Sequence, residues 1–210
     1  MNKINVSIVS SNVYFNLGIK FLVEHNLASL LPGHRIMCSI KTSFYDSFYF
    51  SDDSEHRIVI MDLDTSDETL YEGLKFITQI QENHENIRIV VITRYTNPLV
   101  IKAISNRKPS VIMLQQEPLS VITQYLGITF STFYVNEITL LSPIASSILS
   151  YARDLKCSPR ELEIVVCQQD GLSLKETAKI MNIPYKKVSF LKCNLTRKLG
   201  SSEINTYTLG

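Results

Sequence analysis

Between Tyr185 and Leu199 stand five cations, Lys186, Lys187, Lys192, Arg197 and Lys198, and no acid. Ammonium and guanidinium groups strung along one segment suit the phosphates of a nucleic-acid backbone. Near the other end of the chain, small polar side chains follow apolar, β-branched runs. Ser10 and Ser11 come after Ile4–Val9, Asp62 comes after Arg57–Met61, and Thr93 closes Ile87–Thr93. If those runs are neighbouring strands, the four side chains converge in the crevice at the strands' carboxyl ends, where open α/β sheets place their working groups. The crevice does not read as catalytic. No nucleophile–base pair stands out, no glycine loop could cradle a phosphate, and only 7 glycines occur in 210 residues. The chain is expected not to be an enzyme.

The cations need a scaffold, and the residues around them supply one. Val188, Leu191, Leu195 and Leu199 recur at helical spacing, so a helix over Tyr185–Leu199 buries one side and turns a basic side outward. Upstream, Ser158-Pro159-Arg160-Glu161 and Ser173-Leu174-Lys175-Glu176 are two capping boxes, each starting a helix. Asp170-Gly171 ends the first of these helices, and Asn182-Ile183-Pro184 separates the second from the basic one. Basic amphipathic helices are common, and most such charge is merely solvated. The order of two capped helices, short turns and then the basic helix is what points to a helix-turn-helix whose last helix enters the major groove.

Ser158-Pro159-Arg160-Glu161-Leu162-Glu163-Ile164-Val165, Gly171-Leu172-Ser173 with Lys175-Glu176-Thr177-Ala178, and Asn194-Leu195-Thr196-Arg197-Lys198-Leu199-Gly200 resemble the LuxR-type (NarL/FixJ) DNA-binding domain. The resemblance implies a compact four-helix domain and double-stranded promoter DNA as partner. By matched position it turns Lys186, Lys187, Val188 and Lys192 to the DNA, with Arg197 and Lys198 nearer the backbone. Departures from the family are specific. Pro184 stands where a hydroxyl cap is usual, Lys187 replaces a common threonine, and Leu191 sits where histidine is frequent, so no base preference transfers. Only Ser201–Gly210 remains for the fourth helix, which implies weak or altered self-association of this domain.

The front of the chain alternates strand and helix signals. Strands are expected at Ile4–Val9, Arg35–Ile40, Arg57–Met61, Ile87–Thr93 and Val111–Leu114. Helices are expected at Val13–Glu24, Phe44–Phe50, Thr69–Gln81, Pro98–Ser105 and Leu119–Phe130. Five strands alternating with helices predict a doubly wound parallel sheet covered on both faces. We therefore expect a receiver-like domain over 1–133, a helical linker over 134–157 with a capped start at Ser142-Pro143, and the helix-turn-helix domain over 158–210. No Gly/Ser-rich tether separates them, so the domains should lie close together.

This front half is similar to a response-regulator receiver, with Asp62 at the phosphoacceptor position and Thr93 at the switch hydroxyl. The resemblance also exposes losses. Ser10 and Ser11 fall on the acidic pair that would hold Mg²⁺, Leu114 falls on the usual lysine, and Thr65-Ser66 fall where Met-Pro is normal. Two carboxylates fewer leave little to bind a divalent ion. The expectation is a pseudo-receiver, Asp62 being a relic or a loop cap. Asp62, Asp64 and Asp67 read better as an acidic turn after a buried strand than as a metal cluster. The aromatic run Tyr45–Phe50 reads better as a core edge than as a ligand cradle.

Charge and cysteine usage agree. Residues 1–150 carry 11 Lys+Arg against 14 Asp+Glu, whereas residues 151–210 carry 10 against 6, an acidic front and a basic rear. Cys38, Cys157, Cys167 and Cys193 lack paired short spacing, and all four histidines precede residue 85, so neither zinc nor a disulfide framework is expected, nor any cofactor. No leader and no long apolar run are visible, so a soluble, cytoplasmic protein is expected. The reading is a transcription regulator independent of phosphorylation, a homodimer or a heterodimer with another response regulator, and it most resembles the Rcs-type auxiliary regulators. The alternatives are a phosphorylation-dependent regulator with Asp62 as acceptor and an interaction module that sequesters a partner regulator. A ligand-sensing quorum regulator fits less well, since its α+β front is rich in tryptophan and this chain has none.

Overall fold

Apolar β-branched runs need both faces covered when their neighbours run parallel. In the computed structural model, which describes residues 2–27, 33–46, 56–64, 68–84, 87–131 and 138–199, they obtain that cover. The strands are β1 (Asn2–Val9), β2 (His34–Lys41), β3 (His56–Met61), β4 (Ile87–Thr93), β5 (Val111–Leu114) and β6 (Leu140–Leu141). All pair parallel in the order β2-β1-β3-β4-β5-β6. Every residue of β4 and β5 is buried, while β2 at the edge alternates between half-buried and exposed positions over most of its length.

The expected sheet thus gains a sixth strand. Leu140 and Leu141 pair with Val111 and Ile112, so the segment read as a helical linker first extends the sheet. Two residues are too short to leave a periodic pattern, which is why the strand was not legible. The linker's helix, expected from its capped start at Ser142-Pro143 to about Leu155, ends at Ser150.

Helices α1 (Val13–Phe21), α2 (Leu70–Asn83), α3 (Pro98–Ser105), α4 (Leu119–Ser131) and α5 (Pro143–Ser150) connect and cover the strands. Asn12, Thr69, Asn97 and Ser142 cap the starts of α1, α2, α3 and α5. Continuing α1, Leu22–Leu27 form a π-helical turn, where the periodicity predicted α-helix to Glu24. Of the helix expected over Phe44–Phe50, Phe44–Asp46 form a turn held by the Asp46 carboxylate, which accepts from the Thr42 and Ser43 amides, and 47–50 lie outside the described residues.

Two apolar clusters result. On one face Ile4, Val6, Ile8, Ile58, Ile60, Val90 and Ile92 meet Ile19, Leu22, Leu126 and Phe130 from the α1 and α4 side. On the other, Val59, Met61, Ile89, Val91, Ile112 and Leu114 meet α2, α3 and α5. That second cluster does not stop there. It runs on through Leu162, Ile164, Val165, Val166 and Cys167 into the C-terminal helices α6 (Pro159–Gln169), α7 (Leu174–Ile180) and α8 (Tyr185–Leu199). Polar contacts stitch the same seam: Arg107 to Glu163 at 2.8 Å, Asn97 to Gln169 at 3.3 Å, and the Leu70 amide to the Asp170 carboxylate at 2.8 Å. The Lys102 ammonium donates to the carbonyl oxygens of Ala152 and, at 2.7 Å, Leu155. A fourth C-terminal helix, expected within 201–210, lies outside the described residues. Among the described residues no helix is long and apolar enough to cross a membrane.

Candidate nucleic-acid interface and the crevice of the sheet

The helix-turn-helix is assembled from its caps. The Ser158 hydroxyl accepts from the Glu161 amide at 3.3 Å, and the Glu161 carboxylate accepts from the Ser158 amide at 2.7 Å. Ser173 and Glu176 repeat the exchange at 3.3 and 2.8 Å, so both predicted capping boxes are present. Gly171 takes φ +74° after Asp170, as a helix end that reverses direction requires, and Asn182 takes φ +51° before α8. Ser158→Ala and Ser173→Ala should each lower stability by about 1 kcal/mol. Thermal melts of the full chain check this, and an unmoved midpoint would place the stability elsewhere.

With its start set, α8 buries Val188, Leu195 and Leu199, and Leu191 packs half-buried beside them. Lys186, Lys187 and Arg197 are exposed on the other side, while Lys192 is half-buried on the flank. Val188 departs from its expected place facing the DNA, and Lys198, expected nearer the backbone, has a partner within the fold. Val188 is 0 % exposed, part of the apolar stripe, and a side chain in the core cannot also face a groove. Lys198 is exposed, but its ammonium lies 2.7 Å from the Glu161 carboxylate, which is itself buried. That bond, together with the capping box, holds the Glu161 pKa below its usual value against the opposing effect of burial. Lys198 therefore serves the junction of α6 and α8.

A feature missed in the sequence is Phe190, 63 % exposed, on the same face as Lys186, Cys193 and Arg197. Helical spacing could have found it, because these four recur every three or four residues opposite the leucines.

At the carboxyl ends of the strands, Ser10, Asp62 and Thr93 are buried and Ser11 is half-buried. Ser10 is occupied structurally: its hydroxyl accepts from the Asn12 amide at 3.0 Å and its carbonyl from the Asn16 side chain at 2.7 Å. Asp62 is 1 % exposed, and its carboxylate accepts from the Asp64 amide and the Gln115 side chain, both at 3.0 Å. Burial raises its pKa from 3.8 to about 6, more than these bonds lower it. The Thr93 hydroxyl accepts from the Tyr95 amide at 3.3 Å.

Leu114, expected at the lysine position of this crevice, is instead 0 % exposed in the apolar cluster on one face of the sheet. The next residue, Gln115, is the donor that reaches Asp62, and its amide bonds the Thr93 carbonyl at 2.9 Å. Strand alternation puts successive side chains on opposite faces, so a one-residue difference in alignment exchanges a core leucine for a polar donor.

A receiver's Mg²⁺ would need carboxylates here. The side chains present are three hydroxyls (Ser10, Ser11 and Thr93), the Gln115 amide, one buried carboxyl of raised pKa, and Asp64, which pairs with the Arg94 guanidinium at 2.8 Å. This set does not fit the ion. Among the described residues no three His, Cys, Asp or Glu side chains are grouped to hold a metal; Asp67 lies outside them.

The comparisons agree with this architecture. No family model matches the chain. The transcriptional regulatory protein RcsB of Escherichia coli K12 is 26% identical over 149 residues, spanning 69% of this chain and 67% of RcsB. The chain is homologous to RcsB. The Salmonella typhimurium RcsB response regulator superposes over 100% of both chains with a TM-score of 0.69 at 20% identity. A second RcsB structure, a complex with DNA, gives 0.71 at 19% identity, again over 100% of both chains. Sheet and helix-turn-helix thus follow the RcsB response-regulator fold end to end.

Proposed function

We propose that this RcsB homologue is a DNA-binding transcription regulator that acts without phosphorylation of Asp62, as a homodimer or as a heterodimer with another regulator of its kind. The observation that carries the reading is the two-sidedness of α8. Val188, Leu195 and Leu199 are buried, while Lys186, Lys187 and Arg197 are exposed, with no acid paired to them among the described residues. A helix anchored this way offers cations to the phosphates flanking a major groove. RcsB itself has been captured as dimers on DNA and on promoters in the presence of the phosphomimetic BeF₃⁻, which supports DNA as the partner here.

Independence from phosphate rests on the crevice. Phosphoryl transfer to an aspartate draws on a divalent ion and a cation to neutralise the developing charge. Ser10, Ser11 and Leu114 supply neither, and Gln115 occupies one oxygen of Asp62. Incubating the full chain with acetyl phosphate and Mg²⁺ should therefore leave Asp62 unmodified, and Asp62→Ala should leave promoter activity nearly unchanged. An acid-labile aspartyl phosphate on Asp62 would instead establish a phosphorylation-dependent regulator. Failure of the full chain to bind any duplex would favour a module that sequesters another regulator.

A further inference from the structure

An exposed phenyl ring on a helix that faces phosphates needs a reason, because it can bond neither phosphate oxygens nor the polar edges of bases. Isolated surface aromatics are ordinary, but Phe190 is not isolated in this sense. It stands 63 % exposed between Lys186 and Arg197 along one face of α8, next to the exposed Cys193. The two cations bracket the stripe. Whatever lies midway between two phosphate-binding side chains on a groove-bound helix sits over the groove floor.

The only apolar feature of the major-groove floor is the C5-methyl of thymine. We propose, resting on the DNA-binding reading above, that Phe190 is a specificity-determining residue that reads thymine methyl groups. Val188, which the family resemblance turned to the DNA, is committed to the core, and the apolar side chain offered to the groove comes from the opposite side of the helix. Lys186 and Arg197 then contribute affinity for any sequence, and Phe190 contributes preference. Desolvating the ring and one methyl group together gives a modest, sequence-dependent gain.

The test uses the full chain. A sequence is first selected from a random duplex pool, and each thymine in it is then replaced in turn by uracil, which lacks only the methyl group. For the natural chain, one or two replacements should weaken binding roughly fourfold, the transfer of a single buried methyl. Phe190→Ala should abolish that sensitivity while leaving affinity for unrelated duplex and its salt dependence in place, and Phe190→Leu should retain part of it. The ring's exposure makes folding of both variants secure, and retained non-specific binding verifies it in the same assay. If the natural chain selects a sequence but ignores every uracil, or if Phe190→Ala keeps the same sensitivity, Phe190 does not read methyl groups although DNA binding stands. If Phe190→Ala weakens all duplexes equally, the ring contributes only bulk contact and the proposal falls. If no sequence is enriched and Lys186→Ala changes nothing, the DNA reading falls and this proposal with it.

Discussion

Replacing Lys186 and Lys187 together by alanine is expected to weaken binding of the full chain to duplex DNA by about thirtyfold at physiological salt, and to flatten the slope of log affinity against log salt by about two. Each exposed ammonium that neutralises one phosphate releases about one counterion, so the two effects must appear together. Both lysines are exposed on α8, and among the described residues neither is held in an ion pair as Lys198 is. The loss should therefore fall on selected and unrelated duplexes alike, apart from any base contact either lysine makes. Fluorescence anisotropy across a salt series measures both quantities. An unchanged slope would remove this part of α8 from the phosphates.

Asp62→Asn should stabilise the protein. The folded state holds the Asp62 carboxyl at about 6 against an ordinary 3.8, because burial disfavours its charge. Between those values the folded chain binds more protons at this site than the unfolded one, so the contribution of Asp62 to stability is full below about pH 4 and is lost as pH rises through 6. Above that range the buried charge costs about 3 kcal/mol. An amide of the same shape removes the cost, which in a chain of this length raises the melting temperature by about 6–12 °C near neutral pH. The gain should vanish in acid. Asp170, raised to about 6 by burial at the seam between α6 and α2, will leave some pH dependence in the variant. Equal melting temperatures for the two proteins at neutral pH would show that Asp62 is solvated. The same substitution should leave DNA binding intact, which separates the stability effect from any signalling role.

The crevice and the helix-turn-helix differ in how much of each could be read in advance. Capping boxes at Ser158 and Ser173 and the leucine stripe of α8 were legible because each is settled within one or two helical turns. Gln115 was not, because which of two adjacent residues faces Asp62 depends on where β5 ends relative to β4. Asp170 was legible only as a helix end, and nothing near it in sequence pointed to its distant partner. Its carboxylate accepts from the Leu70 amide, one hundred residues away in sequence, and only the packing of α6 beside α2 brings the two together.

By itself the sequence determined the elements and their order: alternating strands and helices, two capped helices, and a final helix with one apolar and one basic side. These follow from neighbours a few residues apart, whose hydrogen bonds and burial preferences operate before distant segments meet. Only the tertiary structure decided what each side chain does within that frame. It spent Val188 on the core, tied Lys198 to the buried Glu161, left Phe190 outward, put Leu114 in an apolar cluster and fused the two halves through one continuous apolar core. A side chain has one position, and when periodicity and family likeness both claim it, as at Val188, close packing settles the claim.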